Sequence, residues 1–144
     1  MNRIQKISWL MVISIGMAVV CSTIAVTLLY YKIGFPLAWT GLSLLAIASI
    51  GGLGPLIFRK DPGPIQVDER DRLINLKAAR GSFALSYLVF GMLSMGIWAW
   101  YNYKSMSSIT INVLPMVWSI AALTAFFSHA LIILILYGKG GHEV

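Results

Sequence analysis

The acidic side chains of this 144-residue chain, which are the groups best suited to acid–base chemistry, gather in one short segment. Residues 59–80 hold four of the five carboxylates, interleaved with six arginines and lysines. A general acid–base pair needs a cleft and two different environments, whereas neighbouring arginines favour the ionised form of every carboxylate here. The segment therefore predicts no catalytic pair and indicates a surface that could dock a partner. That surface comprises Asp68, Glu69, Arg70, Asp71, Arg72, Lys77 and Arg80.

The same residues also fit a purely structural role. Their pattern predicts a juxtamembrane helix over residues 68–80, with Asp68 as its N-cap and an ion pair between Glu69 and Arg72 one turn apart. Basic residues near the carboxyl end of this helix would then anchor it on lipid phosphates. A self-capped juxtamembrane helix and a docking surface both remain open at this point.

One histidine lies deep in an apolar stretch. His129 shares this stretch with the hydroxyl residues Thr124 and Ser128. An ionisable group inside a membrane is expensive and points to function, so His129 could relay protons or serve as an axial ligand of haem. The alternative is a neutral imidazole hydrogen-bonded to a neighbouring helix along a face of small residues. Haem held by two histidines needs a second deep histidine, and His142 lies in the tail, so we predict no cofactor.

A glycine-rich break interrupts the second apolar stretch. Pro55, whose ring removes one backbone hydrogen bond of a helix, follows three glycines within four residues: Gly51, Gly52 and Gly54. We predict a kink here, which could bind an ion or let two helices cross closely. A single cysteine and methionines without regular spacing form no pattern typical of a metal site, and we predict none.

The elements that position these residues are apolar spans. Hydrophobic residues make up 58% of the chain and charged residues 11%, against about a quarter charged in soluble domains, which excludes soluble and disordered classes. Four uncharged stretches are long enough to cross about 30 Å of hydrocarbon, and each must be helical there. We predict one all-α transmembrane domain over residues 1–144, built as two antiparallel hairpins. Its spans are residues 9–31, 36–58, 81–103 and 116–137.

Basic residues determine the predicted orientation. Nine of the eleven lysines and arginines lie in the amino-terminal segment, the loop 59–80 or the tail, and Lys32 and Lys104 lie on the other side. The positive-inside rule then makes both termini and the loop cytoplasmic, in a multi-pass protein of the cell membrane. The net charge of +6 fits a bilayer with an anionic inner leaflet, so no nucleic-acid partner is predicted.

The charged segment resembles a known family. The family comprises small bacterial and archaeal membrane proteins with four spans, no assigned activity and an Asp-Glu-Arg-acid motif before the third span. The resemblance is best over residues 60–100 and covers the rest in layout only. It implies a four-span fold and supplies no catalytic residue. The residues that carry it are Asp68, Glu69, Arg70, Asp71, Ile74, Lys77, Ala78 and Arg80.

Together these patterns predict a membrane protein that is not an enzyme. We expect an accessory or regulatory subunit of a larger membrane assembly, which docks through the loop 59–80 onto other membrane subunits. The alternative is a small oligomeric transporter or channel that uses His129 and the Gly-Pro break. A repeated order of aromatic residues, lysine and Pro-x-x-Trp in the two hairpins would suit such a carrier. The four-span multidrug carriers, however, use a membrane-embedded carboxylate, which these spans lack.

Overall fold

The computed structural model describes residues 3–34, 37–58, 69–106, 108 and 113–139, and every regular element among them is helical. Four helical segments are long and apolar enough to cross a membrane, which confirms the predicted all-α class and the number of spans. The elements are α1 (Arg3–Ile33), a 3-10 helix (Leu37–Ala48), α2 (Ser49–Gly52), α3 (Gly54–Ile57), α4 (Glu69–Tyr103) and α5 (Val113–Lys139).

The chain divides into two compact units. The first unit comprises Met1–Gln66 with Tyr137–Val144, and the second comprises Val67–Leu136. The first unit therefore contains α1 and the second span, which runs from the 3-10 helix to α3. The second unit contains α4 and most of α5.

In the first unit, α1 and the second span approach each other at glycines. A Cβ atom added to Gly41 would lie 2.8 Å from the backbone nitrogen of Val26, and one added to Gly51 would lie 2.5 Å from the Oγ atom of Ser14. Backbones that pack this closely tolerate no side chain at the contact, as is common for small residues between membrane helices. The glycines of the second span therefore form a packing seam.

The second span begins as a 3-10 helix, a form that its sequence pattern did not predict. Leu37–Ala48 holds this tighter form for 12 residues, although runs beyond about four residues are uncommon. Gly41 faces the backbone of Ala25 and Val26 and Gly51 faces Ser14 and Met11, so ten residues of the second span run beside 11 to 15 residues of α1. Ten α-helical residues rise about 15 Å, and 11 to 15 rise about 16–22 Å. The longer rise of the 3-10 residues, about 2.0 Å each, brings the ten residues to about 18 Å.

The start of α1 caps the end of the second span. Arg3 donates from Nε to the backbone carbonyl of Phe58 and from Nη2 to that of Pro55, the latter over 3.1 Å. Carbonyls in the last turn of a helix have no intrahelical donor and carry partial negative charge. A guanidinium satisfies both needs, so Arg3 ties the first helix of this unit to the last.

In the second unit, α4 and α5 pack through small residues. The Ser86 hydroxyl donates to the carbonyl of Ala121 over 3.1 Å, and a Cβ atom at Gly81 would lie 2.9 Å from Cδ1 of Ile132. The hydrogen bond crosses between the helices, and Gly81 faces the tip of the Ile132 side chain. This packing resembles the small-residue interfaces of membrane helices in general.

The carboxyl end of α4 is closed by a Schellman motif. Backbone N–H groups of Ser105 and Met106 donate to the carbonyls of Asn102 and Tyr101, each over 3.0 Å. The motif requires a left-handed residue after the helix, which is normally glycine. Ser105 takes this position with φ +52°, so a serine bears a conformation that suits glycine better.

Candidate functional site

The amino-terminal part of α4 carries the charged segment on a continuous helix. α4 has 35 residues, a length of about 52 Å, while hydrocarbon is about 30 Å thick. Its apolar part after Arg80 is long enough to cross the bilayer alone, in which case the turns from Glu69 to Arg80 would extend outside it. Asp68, the predicted N-cap, lies outside the described residues.

This helical extension has one buried edge and one charged surface. Ile74, Ala78 and Ser82 are buried, at 8%, 0% and 6% exposure, and their spacing of four residues places them on one edge. Most charged side chains of the segment avoid that edge. Glu69, Arg70, Arg72, Lys77 and Arg80 are exposed, and Asp71 is half-buried.

Within the segment, the predicted ion pair between Glu69 and Arg72 is present. Its charged atoms lie 3.9 Å apart, and both side chains are about 70% exposed. An ion pair this exposed contributes little to stability, because water screens it and both side chains lose rotamer freedom. Exchanging this pair for contacts with a partner would therefore cost the fold little.

The polar residues of α5 do not form one hydrogen-bonded group. The Thr124 hydroxyl donates to the carbonyl of Ile120 over 2.8 Å, and the Ser128 hydroxyl donates to the carbonyl of Thr124 over 2.6 Å. Both hydroxyls are thus satisfied by the backbone of their own helix. His129 is half-buried and makes no hydrogen bond to the described part of the chain. The expected bond from its imidazole to a neighbouring helix is not found there.

The Gly-Pro break is a discontinuity between α2 and α3, centred on the turn residue Leu53. Gly51 packs against Ser14, whereas a Cβ atom at Gly52 would meet nothing within 4 Å. Pro55 lies in the first turn of α3, where its missing N–H costs no helical hydrogen bond. The guanidinium of Arg3 already occupies the carbonyls beyond the break. This arrangement favours helix crossing over the ion-binding interpretation.

A groove on the second unit was not predicted from the sequence. It has a volume of about 240 Å³ and lies along the seam of α4 and α5. Its walls are aromatic and its floor consists of small residues. The sequence does contain a signal for this groove. Phe83, Tyr87 and Phe90 are four and three residues apart, a spacing that places them on one face of α4. The walls are Phe83, Tyr87, Phe90 and Trp118, and the floor is Ser86, Ala121 and Ala122.

One buried polar atom in the first unit has no partner. Ser22 is 2% exposed, and its Oγ atom accepts and donates no hydrogen bond. A serine in a helix normally bonds to the carbonyl one turn earlier, so this side chain is held in the packing seam at some cost.

Neither a metal-binding cluster nor a known relative helps to identify the site. Within the described ranges, no three His, Cys, Asp or Glu side chains lie close enough to hold a metal ion. Searches against protein-family models, curated proteins and solved structures find no match to this chain. The resemblance of the charged segment to the four-span family therefore stays a prediction.

Proposed function

We propose that this protein is a non-catalytic accessory or regulatory subunit of a larger membrane assembly, docked through the amino-terminal turns of α4. In this proposal the four spans form two antiparallel hairpins in the cell membrane, with both termini and the charged segment cytoplasmic. The other subunits of the assembly contact the protein at the cytoplasmic surface and within the bilayer. The protein requires no cofactor for this role.

The observation that carries the proposal is the rigid charged extension of α4. A continuous helix from Glu69 through Arg80 presents both signs of charge at fixed positions. Complementary charges give a docking surface specificity and orientation. A flexible loop of the same composition would lose more conformational entropy on binding.

The low burial of α4 supports partners inside the bilayer as well. Only 6% of its most apolar 18-residue window is buried within the chain, against 22% for α1 and for the fourth span. Large exposed aromatic side chains, including Tyr87 and Trp98, line this helix. A surface of this kind suits lipid or the helices of other subunits.

The alternative is a small oligomeric transporter or channel, and one observation favours it. His129 is half-buried in the fourth span and has no hydrogen-bond partner among the described residues. Replacing His129 with alanine separates the two functions. An accessory subunit keeps its partner after this change, whereas a proton-coupled carrier loses transport.

Photo-crosslinking in native membranes tests the proposed docking. A photoreactive amino acid replaces Arg72 on the charged extension or, as the matched control, Lys104 at the opposite end of α4. We expect position 72 to yield an adduct with one distinct polypeptide, and position 104 to yield none with that polypeptide. Adding Glu69→Gln and Asp71→Asn should abolish the adduct, because these changes remove the acidic half of the surface.

Two results would contradict the proposal. Adducts from position 72 that contain only a second copy of this chain would favour the oligomeric transporter. Equal adducts with and without Glu69→Gln and Asp71→Asn would show that the charges do not direct docking.

A further inference from the structure

We propose that the second unit binds one anionic phospholipid, with the phosphate at Arg80 and an acyl chain in the aromatic groove between α4 and α5. This site is independent of the proposed accessory function. It rests on the position of Arg80 relative to the groove, on the shape of the groove, and on the chemistry of its lining.

Arg80 precedes the aromatic residues of the groove by one to three turns of α4, and Tyr87 is the one nearest to it around the helix. At 100° per residue, Tyr87 is about 20° from Arg80 around the helix, and Phe83 and Phe90 are within about 80°. Along the axis these residues lie about 4.5–15 Å deeper than Arg80, which is the depth of one hydrocarbon leaflet. A lipid with its phosphate at Arg80 therefore places its acyl chain beside the three aromatic rings.

The charge of Arg80 has no counterpart among the residues that the structure describes. The guanidinium is exposed and makes no ion pair or hydrogen bond with the described residues. Lys77 lies one turn further from the bilayer, is exposed, and is likewise without an ion pair within the described part of the chain. Arginine binds phosphate oxygens in a bidentate geometry, so a lipid phosphate supplies the missing negative charge.

The groove is small, with a volume of about 240 Å³. The walls project from the surface, since Phe83, Tyr87 and Trp118 are each about 70% exposed. These projecting rings offer apolar surface to a flexible acyl chain.

The polar side chain at the floor of the groove, Ser86, is already hydrogen-bonded. The Ser86 hydroxyl donates a hydrogen bond to the carbonyl of Ala121 over 3.1 Å, and Ala122 forms the rest of the floor. Aromatic walls with a satisfied floor offer an acyl chain mostly apolar surface. The headgroup therefore determines selectivity, and the groove determines position.

Native mass spectrometry of the full chain in detergent, titrated with phosphatidylglycerol or phosphatidylcholine, tests the headgroup. We expect the protein to retain phosphatidylglycerol in preference to phosphatidylcholine. Arg80→Gln should reduce retention of phosphatidylglycerol about fivefold. The matched control is Arg72→Gln, which removes the same charge about 12 Å further out on the helix and should leave retention unchanged.

A second pair of variants tests the groove. Ala122→Leu fills the floor and should reduce retention of both lipids. Ala84→Leu adds the same volume to an exposed position outside the groove and should change neither. Excess inorganic phosphate should not displace the lipid if the acyl chain contributes to binding.

Three outcomes would overturn the site. Equal retention of the two lipids by the unmodified chain would remove the role of charge. Equal effects of Arg80→Gln and Arg72→Gln would place the phosphate elsewhere or nowhere. Displacement of the lipid by inorganic phosphate alone would reduce the site to a simple anion contact. A thermal melt of each variant without added lipid checks that the fold is intact.

Discussion

The two adjacent glycines of the second span should respond to alanine with opposite signs. A Cβ atom at Gly51 would lie 2.5 Å from Oγ of Ser14 and 3.0 Å from Cα of Met11, whereas one at Gly52 would meet nothing within 4 Å. Gly51→Ala therefore forces α1 and α2 apart. Gly52→Ala only replaces a flexible helical residue with the best helix former.

The magnitudes follow from these contacts. Forcing a methyl group into a packed interface costs about 1–3 kcal/mol of unfolding free energy. The Met11 contact is with backbone, so Gly51→Ala belongs in the upper half of that range. Gly52→Ala should instead stabilise by about 0.5–1 kcal/mol, because alanine loses less conformational freedom than glycine on folding. The two variants should thus differ by more than about 2 kcal/mol.

Unfolding in mixed detergent micelles, followed by circular dichroism, measures both variants against the unmodified chain. A double-mutant cycle adds Ser14→Ala, which removes the oxygen nearest the new methyl group. Part of the loss caused by Gly51→Ala should return in the double variant, since the Ser14 and Gly51 positions are in contact. Equal effects of Gly51→Ala and Gly52→Ala would refute the close packing of α1 on α2, and with it the register that explains the 3-10 helix.

Three further predictions concern the helix ends and the orientation. Arg3→Met should destabilise the first unit by about 1–2 kcal/mol, because the carbonyls at the end of α3 lose charged donors, and Arg3→Lys should restore only part of this loss; thermal melts of the two variants compare them directly. Ser105→Gly should raise the unfolding free energy by about 1 kcal/mol by relieving the left-handed backbone, and an unchanged or lower midpoint of detergent unfolding would contradict that cap. In intact cells of a Cys21→Ser chain, a membrane-impermeant maleimide should label Lys104→Cys and spare Arg72→Cys; the reverse pattern would invert the proposed orientation.

Sequence reasoning reached the features that depend on composition along the chain. Four spans are visible because hydrocarbon excludes charge and demands helices, and both constraints act on each stretch separately. The Glu69–Arg72 pair could also be predicted, because spacing within one helix fixes which side chains are neighbours. The unbroken course of α4 from Glu69 into the span agrees with the absence of any breaker other than Gly81.

Features that depend on contacts between distant segments could not be predicted from the sequence. The 3-10 form of Leu37–Ala48 lengthens the second span beside α1, and no local propensity specifies it. Arg3 was interpreted through its charge alone, because its hydrogen bonds reach carbonyls more than 50 residues away. The hydrogen bond from His129 to a neighbouring helix, which was one of two interpretations of this residue, has no partner among the described residues. The direction of a side chain around α5 could be estimated from spacing, but the atoms that face it could not.

The central claim, that this chain serves other membrane subunits, is tested most directly by native mass spectrometry after mild detergent extraction from the original host. The account predicts a complex that contains this 15.8 kDa chain together with a different polypeptide at fixed stoichiometry. That polypeptide should be lost when Glu69, Arg70, Asp71 and Arg72 are replaced by their neutral analogues, while Lys104→Gln leaves the complex intact. A mass that corresponds only to multiples of this chain, unchanged by the same substitutions, would contradict the account and favour an oligomeric transporter.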